Sequence, residues 1–534
     1  LTDSIRLAVI ADPHVHDTAW VPEATGLAGA VRSFADTVAS TRVFNESIPA
    51  FRAALNRAAA EGARIVIVPG DLSDDGQRPN IEAAVTIVAE AERRHGLRVF
   101  MTPGNHDFFG RSGRRQVKQF LAADGRRVTV DSRDTPSAAM LGAPEALALM
   151  ADLGFCPRPG DRHFETPFGR DPDFARRMHR AASPDGRTGF AMIDASYLVE
   201  PVEGLWLLSV DANVVTPKDG VGDPDDPAGL TDPSDGGWEA VGRGRPHLLA
   251  WMADVAVRAR AAGKRLVAFS HYPPVDVLAG AAAAEAALLP SSGLARRTPP
   301  AAVARAFAAT GVRLHLSGHF HVDDLAVFRD GGDGFFNVAT PSTVGFPPAI
   351  KLLDVAPDRV RLRTIRLDDV PGHDLAAAAY VREAAAAGEP VPAAARAGSH
   401  VDFLDRHLVE LVARRYVPRE WPAEMADSLR DGRLGDVGRL LRLPAPPEAD
   451  ALPARVLAQD WYRLRLAGAL ARDRVPAERL ALYRRWLADL DTAATEPPAD
   501  RFAALLALLG RFLDRVPTDD VTLDLAALTV TPTA

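Results

Sequence analysis

Five short apolar runs in this chain each end in a turn that carries aspartate, asparagine or histidine. Ile5-Arg6-Leu7-Ala8-Val9-Ile10-Ala11 leads into Asp12-Pro13-His14, residues 64–68 into Pro69-Gly70-Asp71, and residues 97–101 into Gly104-Asn105-His106-Asp107. Further on, residues 265–269 precede Ser270-His271, and residues 312–316 precede Ser317-Gly318-His319-Phe320-His321. Runs this short and apolar fit buried strands better than helices. Between the first three lie helical patterns, residues 47–61 with Ile48, Phe51, Leu55 and Ala59 on one face, and about residues 80–95. The alternation reads β-α-β-α-β, and open α/β sheets keep their chemistry where strands end.

The rest of the chain is less regular. Residues 108–203, rich in Pro, Gly and Arg, read as an insertion. The sheet resumes with Leu205-Trp206-Leu207-Leu208-Ser209-Val210, then breaks at residues 216–244, an Asp-, Gly- and Pro-rich loop without the ligand spacing of an EF-hand. That loop is expected to be solvated surface. Short strands at about 326–328, 334–338 and 349–367 complete a second sheet. After about Pro371 the chain becomes Ala-, Leu- and Arg-rich amphipathic helix, with a β-like tail over residues 521–531. The expected division is a catalytic domain over 1–370 and a separate, mainly helical domain over 371–534.

Composition excludes several classes. With 534 residues, 47% of them apolar and 25% charged, the chain reads as soluble and globular, with more than one domain. A net charge of -8 gives no electrostatic reason to expect nucleic acid or an anionic membrane as the main partner. The single cysteine, Cys156, forbids an intrachain disulfide, and no His or Asp pattern marks it as a nucleophile. No apolar run reaches the roughly 18 residues of a transmembrane segment. The sequence starts at Leu1 rather than Met, so the compartment stays open between cytoplasm and export with a removed leader.

The chemistry lies in the strand-end turns. Asp12, His14, Asp71, Asn105, His106, His271, His319 and His321 form a mixed nitrogen and oxygen set able to hold two divalent ions, with one carboxylate free to bridge them. Such ligands suit Mn, Fe, Zn or Co better than Mg or Ca. Two ions roughly 3.5–4 Å apart are the usual clamp for phosphoryl transfer. One such turn is weak evidence, since Asn, Gly and Asp are ordinary turn formers; five in order after strands are not.

The order Asp-x-His, Gly-Asp, Gly-Asn-His-Asp, His, Gly-His-x-His resembles that of the calcineurin-like metallophosphoesterase superfamily, over about residues 5–367. The resemblance implies an α/β fold, a two-sheet α/β/β/α sandwich, here with an added all-helical C-terminal domain. It implies that Asp12, His14 and His321 hold one metal, that Asn105, His271 and His319 hold the other, and that Asp71 bridges. His106 would face the substrate as general acid or transition-state stabiliser, with Asp74 orienting it. A metal-bridging hydroxide would then attack a phosphodiester or phosphomonoester in line. Two departures narrow the subgroup. Asp74 stands where purple acid phosphatases carry a tyrosine, and Asp75 where phosphoprotein phosphatases carry an arginine.

Other residues are assigned by position. His16 and Asp17 extend the first motif as supports or surface groups. Arg111, Arg114 and Arg115 follow the central turn and could grip a phosphate, and Tyr272 could border the pocket. His95, His163, His179, His247, His315, His373, His400 and His407 fit no motif and read as structural. The expected substrate is a phosphoester of modest size, with the insertion and the helical end narrowing access or mediating a homodimer. The rivals are a nuclease with the same ligands, disfavoured by the acidic balance, and a protein-binding scaffold that has lost catalysis.

Overall fold

The apolar runs do become strands. In the computed structural model, which describes residues 4–23, 26–490 and 496–533, fourteen strands build two sheets: β1 Ile5–Val9, β2 Ile65–Val68, β3 Arg98–Met101, β4 His163–Glu165, β5 Tyr197–Val202, β6 Leu205–Ser209, β7 Arg265–Phe269, β8 Leu314–Ser317, β9 Asp324–Asp330, β10 Asp333–Ala339, β11 Ala349–Val355, β12 Arg359–Arg366, β13 Asp520–Asp524 and β14 Thr529–Pro532. The first sheet has the order β14-β13-β12-β11-β1-β2-β3, and the second β9-β10-β8-β7-β6-β5-β4. The pairs β1-β2 and β2-β3 are parallel, as are β6-β7, β7-β8 and β8-β10. β2 and β6 are buried along their whole length, as expected of parallel strands covered on both faces. The helices Ser47–Ala60 and Arg78–His95 make the two parallel crossovers of the first sheet. Where the sheets meet, the Tyr197 hydroxyl donates to Met101 O at 2.8 Å and the Thr102 hydroxyl to Val210 O at 3.0 Å. This is the two-sheet metallophosphoesterase sandwich flanked by helices.

Two expectations about organisation change. Inside residues 108–203 only part is insertion: β4 and β5 belong to the second sheet, so that sheet resumes before Leu205. Two hairpins, Val117–Leu121 with Arg127–Asp131 and Met178–Ala182 with Gly189–Ile193, stand outside the sheets.

The C-terminal helices, among them His400–Leu411, Arg455–Ala467 and Ala499–Leu513, form a distinct region but not a detached one. One hydrophobic core runs from Leu7 and Phe51 through Leu404 and Trp461 to Phe512. Across the junction His400 donates to Thr343 O at 2.9 Å, His407 to Thr37 O at 2.8 Å and Arg465 to Glu285 at 2.8 Å. The tail returns to the first sheet, where β13 pairs with β12. Among the described residues no helix is long and apolar enough to cross a membrane.

Candidate metal centre

The turns that follow β1, β2, β3, β7 and β8 converge on one point. His14 N donates to Asp71 O at 3.0 Å and Val15 N to Leu72 O at 2.8 Å, which zips the first two turns together. The price of this convergence is backbone strain: Asp12, His14, Asp71, Asp75, His319 and His321 all have φ between 43° and 69°, a left-handed conformation that costs roughly 1–2 kcal/mol per residue. The glycines of the motifs are there for clearance. A Cβ on Gly70, itself at φ 86°, would lie 2.6 Å from the His271 ring, and one on Gly104 would collide with the Asp71 carboxylate.

Among the described residues three groups of donors result, one of them His14 with Asp74 and His106, and the other two flanking Asp71. Asp12, His14 and His321 offer ligand atoms all within 4.8 Å of one another, and Asp71, His271 and His319 do the same. Asp71 lies between the groups, with Oδ2 3.7 Å from His14 Nε2 and 3.2 Å from His271 Nε2. Asn105 Oδ1 is 3.0 Å from His271 Nε2, which joins it to the second group. His271 Nδ1 donates to Pro69 O at 2.9 Å, leaving Nε2 for the centre. Both oxygens of Asp12 accept from His319 N, at 3.0 and 3.1 Å.

The electrostatics suit a cation. Burial lowers the imidazoles of His14 and His319 well below the ordinary histidine value and that of His321 to about 3, so their lone pairs are free at neutral pH. Burial pushes the Asp12 carboxyl well up, the mark of a buried carboxylate short of positive charge. At Asp71 burial works in the same direction, but the charges of His271, His106 and His14 overcome it and hold the group well below the usual carboxylate range. Burial opposes the charge on His271, yet Asp71 and Asp12 raise it to about 9. Imidazole nitrogens face each other at 3.2 Å (His14 with His321) and 3.1 Å (His319 with His271), an arrangement that needs a proton or a cation between the lone pairs. The donor set thus fits divalent metal ions.

Residues 5–145 match the family model described as calcineurin-like phosphoesterase. The chain belongs to the calcineurin-like metallophosphoesterase superfamily. Its family and its clustered ligands support a metal-dependent hydrolase mechanism. Among solved structures it is similar to a dimetal phosphatase from Danio rerio (13% identity, 68% of this chain and 96% of that one, TM-score 0.38). It is also similar to the purple acid phosphatase PPD1 of yellow lupin (10% identity, 68% and 52%, TM-score 0.33) and to TT1561 of Thermus thermophilus (12%, 68% and 99%, TM-score 0.30). At these scores the likenesses carry no argument about activity. No curated protein matches the chain.

In this metallophosphoesterase His106 borders the cleft, its ring centroid 5.0 Å from that of His14. The acid hydrogen-bonded to it is Asp75, through Oδ1 to Nδ1, next to Asp74, the residue to which the resemblance assigned that role. Asp74 is buried among cations instead, accepting from Arg42 Nε at 3.1 Å and Arg32 at 3.1 Å with Lys118 at 3.5 Å. Burial opposes ionisation there, but these cations hold the carboxyl at about 2. Asp75 also pairs with Lys118 and lies 3.5 Å from Arg42, whose guanidinium is 3.2 Å from His106 Nδ1.

The arginines expected to grip phosphate do not line the cleft. Arg111 lies 3.8 Å from Asp225, Arg114 3.0 Å from Asp232 and Arg115 2.5 Å from Asp131. Two of those aspartates belong to the acidic loop after Thr216, whose charge is spent on its neighbours. Tyr272 is buried behind the metal ligands, its ring 4.4 Å from that of His319 and its hydroxyl 3.4 Å from Asn213. His16 donates to Ala30 O at 2.6 Å and Asp17 N to Asn80 at 2.8 Å, so both are supports. Sequence reasoning passed over Asp107, which closes the central turn by accepting from Gly104 N at 2.8 Å and Ser73 N at 3.0 Å. It also missed the cations that do line the cleft, Arg32, Arg42, Lys118, Arg297 and Arg415. No motif marks them, since the fold brings them in from distant loops and from the C-terminal helices.

Proposed function

We propose that the chain hydrolyses a phosphate ester, mono- or diester, of modest size. The observation that carries the reading is the position of Asp71 between two ligand groups, with His106 beside them in the same cleft of about 450 Å³. Asp12, His14 and His321 would hold one ion, Asn105, His271 and His319 the other, and Asp71 both. When bound, such a pair supplies an acidified water and neutralises phosphoryl oxygens. The remaining work falls to the chain. Asp75 on Nδ1 orients the His106 ring and leaves Nε2 for proton transfer to the leaving oxygen. Arg42, paired with Asp74 and 3.5 Å from Asp75, braces the carboxylate that touches His106.

The test is hydrolysis of p-nitrophenyl phosphate and bis-p-nitrophenyl phosphate with added Mn, together with metal content. His106→Ala should keep its metals and lose about 10²- to 10⁴-fold in kcat. Asp71→Asn should lose metal affinity itself. If His106→Ala loses metal as completely as Asp71→Asn does, the role given to His106 is wrong.

A further inference from the structure

The cleft carries two guanidinium groups that neither the ligand set nor the His106 network uses. Arg32, Arg42 and Lys118 are neutralised by Asp36, Asp74 and Asp75. Arg297 engages only its Nε, with Asp235 at 2.7 Å. Among the described residues Arg415 donates NH1 to the backbone oxygen of Ala39 at 2.9 Å, lies 5.9 Å from the centre of the Tyr416 ring and has no carboxylate at ion-pair distance. Both border the open cleft of about 450 Å³ and also the chamber of about 100 Å³ beneath the C-terminal helices, and the two spaces share Thr41, His319 and His321 as well. Arg297 lines both spaces together with His319 and His321, which places it beside the candidate ligands.

Resting on the phosphoesterase reading, we propose that Arg297 and Arg415 bind a second anionic group of the substrate. The substrate class is then a phosphate ester whose alcohol carries another phosphate or a carboxylate. A guanidinium offers a planar fork of donors that fits either anion, and each is tied to the protein through one nitrogen while bordering both spaces. The placement also gives the C-terminal helices a part in substrate choice, because Arg415 comes from them.

The test separates binding from turnover by using phosphonates, whose C–P bond resists hydrolysis. Calorimetry on the full-length, Mn-loaded protein compares propylphosphonate, 3-phosphonopropanoate and propane-1,3-bisphosphonate. The second anion should tighten binding about tenfold or more, and the two doubly anionic ligands distinguish carboxylate from phosphate as the preferred group. In the Arg297→Ala/Arg415→Ala variant that advantage should vanish, with a smaller change for propylphosphonate. Arg297→Lys/Arg415→Lys, which keeps the charge without the fork, should retain part of it and serves if the alanine variant folds poorly. Equal binding of the three ligands, or a preference that survives in the alanine variant, would overturn the proposal. An Arg-dependent preference without hydrolysis of p-nitrophenyl phosphate would uphold the anion site and overturn the phosphoesterase reading. Hydrolysis without that preference would do the reverse.

Discussion

Two adjacent aspartates show how far one residue's surroundings decide its use. Asp75 sits at φ 56° with its carboxylate turned to His106, whereas Asp74 is fully buried among Arg32, Arg42 and Lys118. Asp74→Ala removes the anion from a buried cluster and should cost roughly 3–5 kcal/mol, read as a lower Tm. Asp75→Asn should leave Tm closer to the parent and lower kcat, because the His106 ring loses the carboxylate that orients it. Because the folded Asp74 carboxyl is depressed from 3.8 to about 2, its contribution to stability is complete above pH 4 and is lost as pH falls toward 2. Glu46 has the opposite sign. Burial raises it to about 8, with Oε1 accepting from the Tyr380 hydroxyl at 3.2 Å and Oε2 without a partner. Between pH 4.5 and 8 the unfolded chain gives up that proton and the folded chain keeps it, so stability falls as pH rises. Glu46→Gln should therefore gain stability over the parent from pH 5 to pH 8, by roughly 2–4 kcal/mol at the upper end, measured by chemical denaturation at the two pH values.

At the scale of elements, the strands that end in ligands were legible because each is an apolar run closed by a polar turn, and a buried parallel strand has that pattern. The ligands were legible for the same reason: a strand's last residue and the turn after it are fixed together. β4 and β5 were not, since β4 is only three residues long and Tyr197–Val202 carries Glu200 and Pro201, which fall where its register with β6 shifts. The neighbouring acids Asp74 and Asp75 could not be told apart from the sequence, because their partners Arg32, Arg42 and Lys118 come from distant segments. The cleft cations were illegible in principle, as Arg42, Arg297 and Arg415 meet only through tertiary packing. Helix Arg455–Ala467 is anchored to the catalytic core by the buried pair of Arg465 with Glu285. Glu285→Ala leaves that guanidinium without its partner and should lower stability by about 3–5 kcal/mol, seen as a drop in Tm.

At the scale of the whole molecule, one hydrophobic core runs from the sheets into the C-terminal helices, which cover it. The cover reaches the site twice: Arg415 borders the cleft, and His407 and Arg415 hold Thr37 O and Ala39 O in the segment that leads to Arg42. A chain cut after Leu367 would bare the core faces beneath the cover, including Val401, Leu404 and Trp461 contacts, and would lose β13 from the first sheet. It should be insoluble or melt well below the full chain, with any residual turnover reduced. A cut chain as stable and active as the parent would mean that the cover plays no part in the site.

The central claim is that two metal ions in one cleft drive phosphoester hydrolysis. The most direct measurement is to strip the full-length protein with chelator, add back Mn in known ratios and follow p-nitrophenyl phosphate hydrolysis. Turnover should be absent at first and reach a plateau near two ions per chain. A plateau at one ion, turnover that ignores metal, or none at any ratio would contradict it.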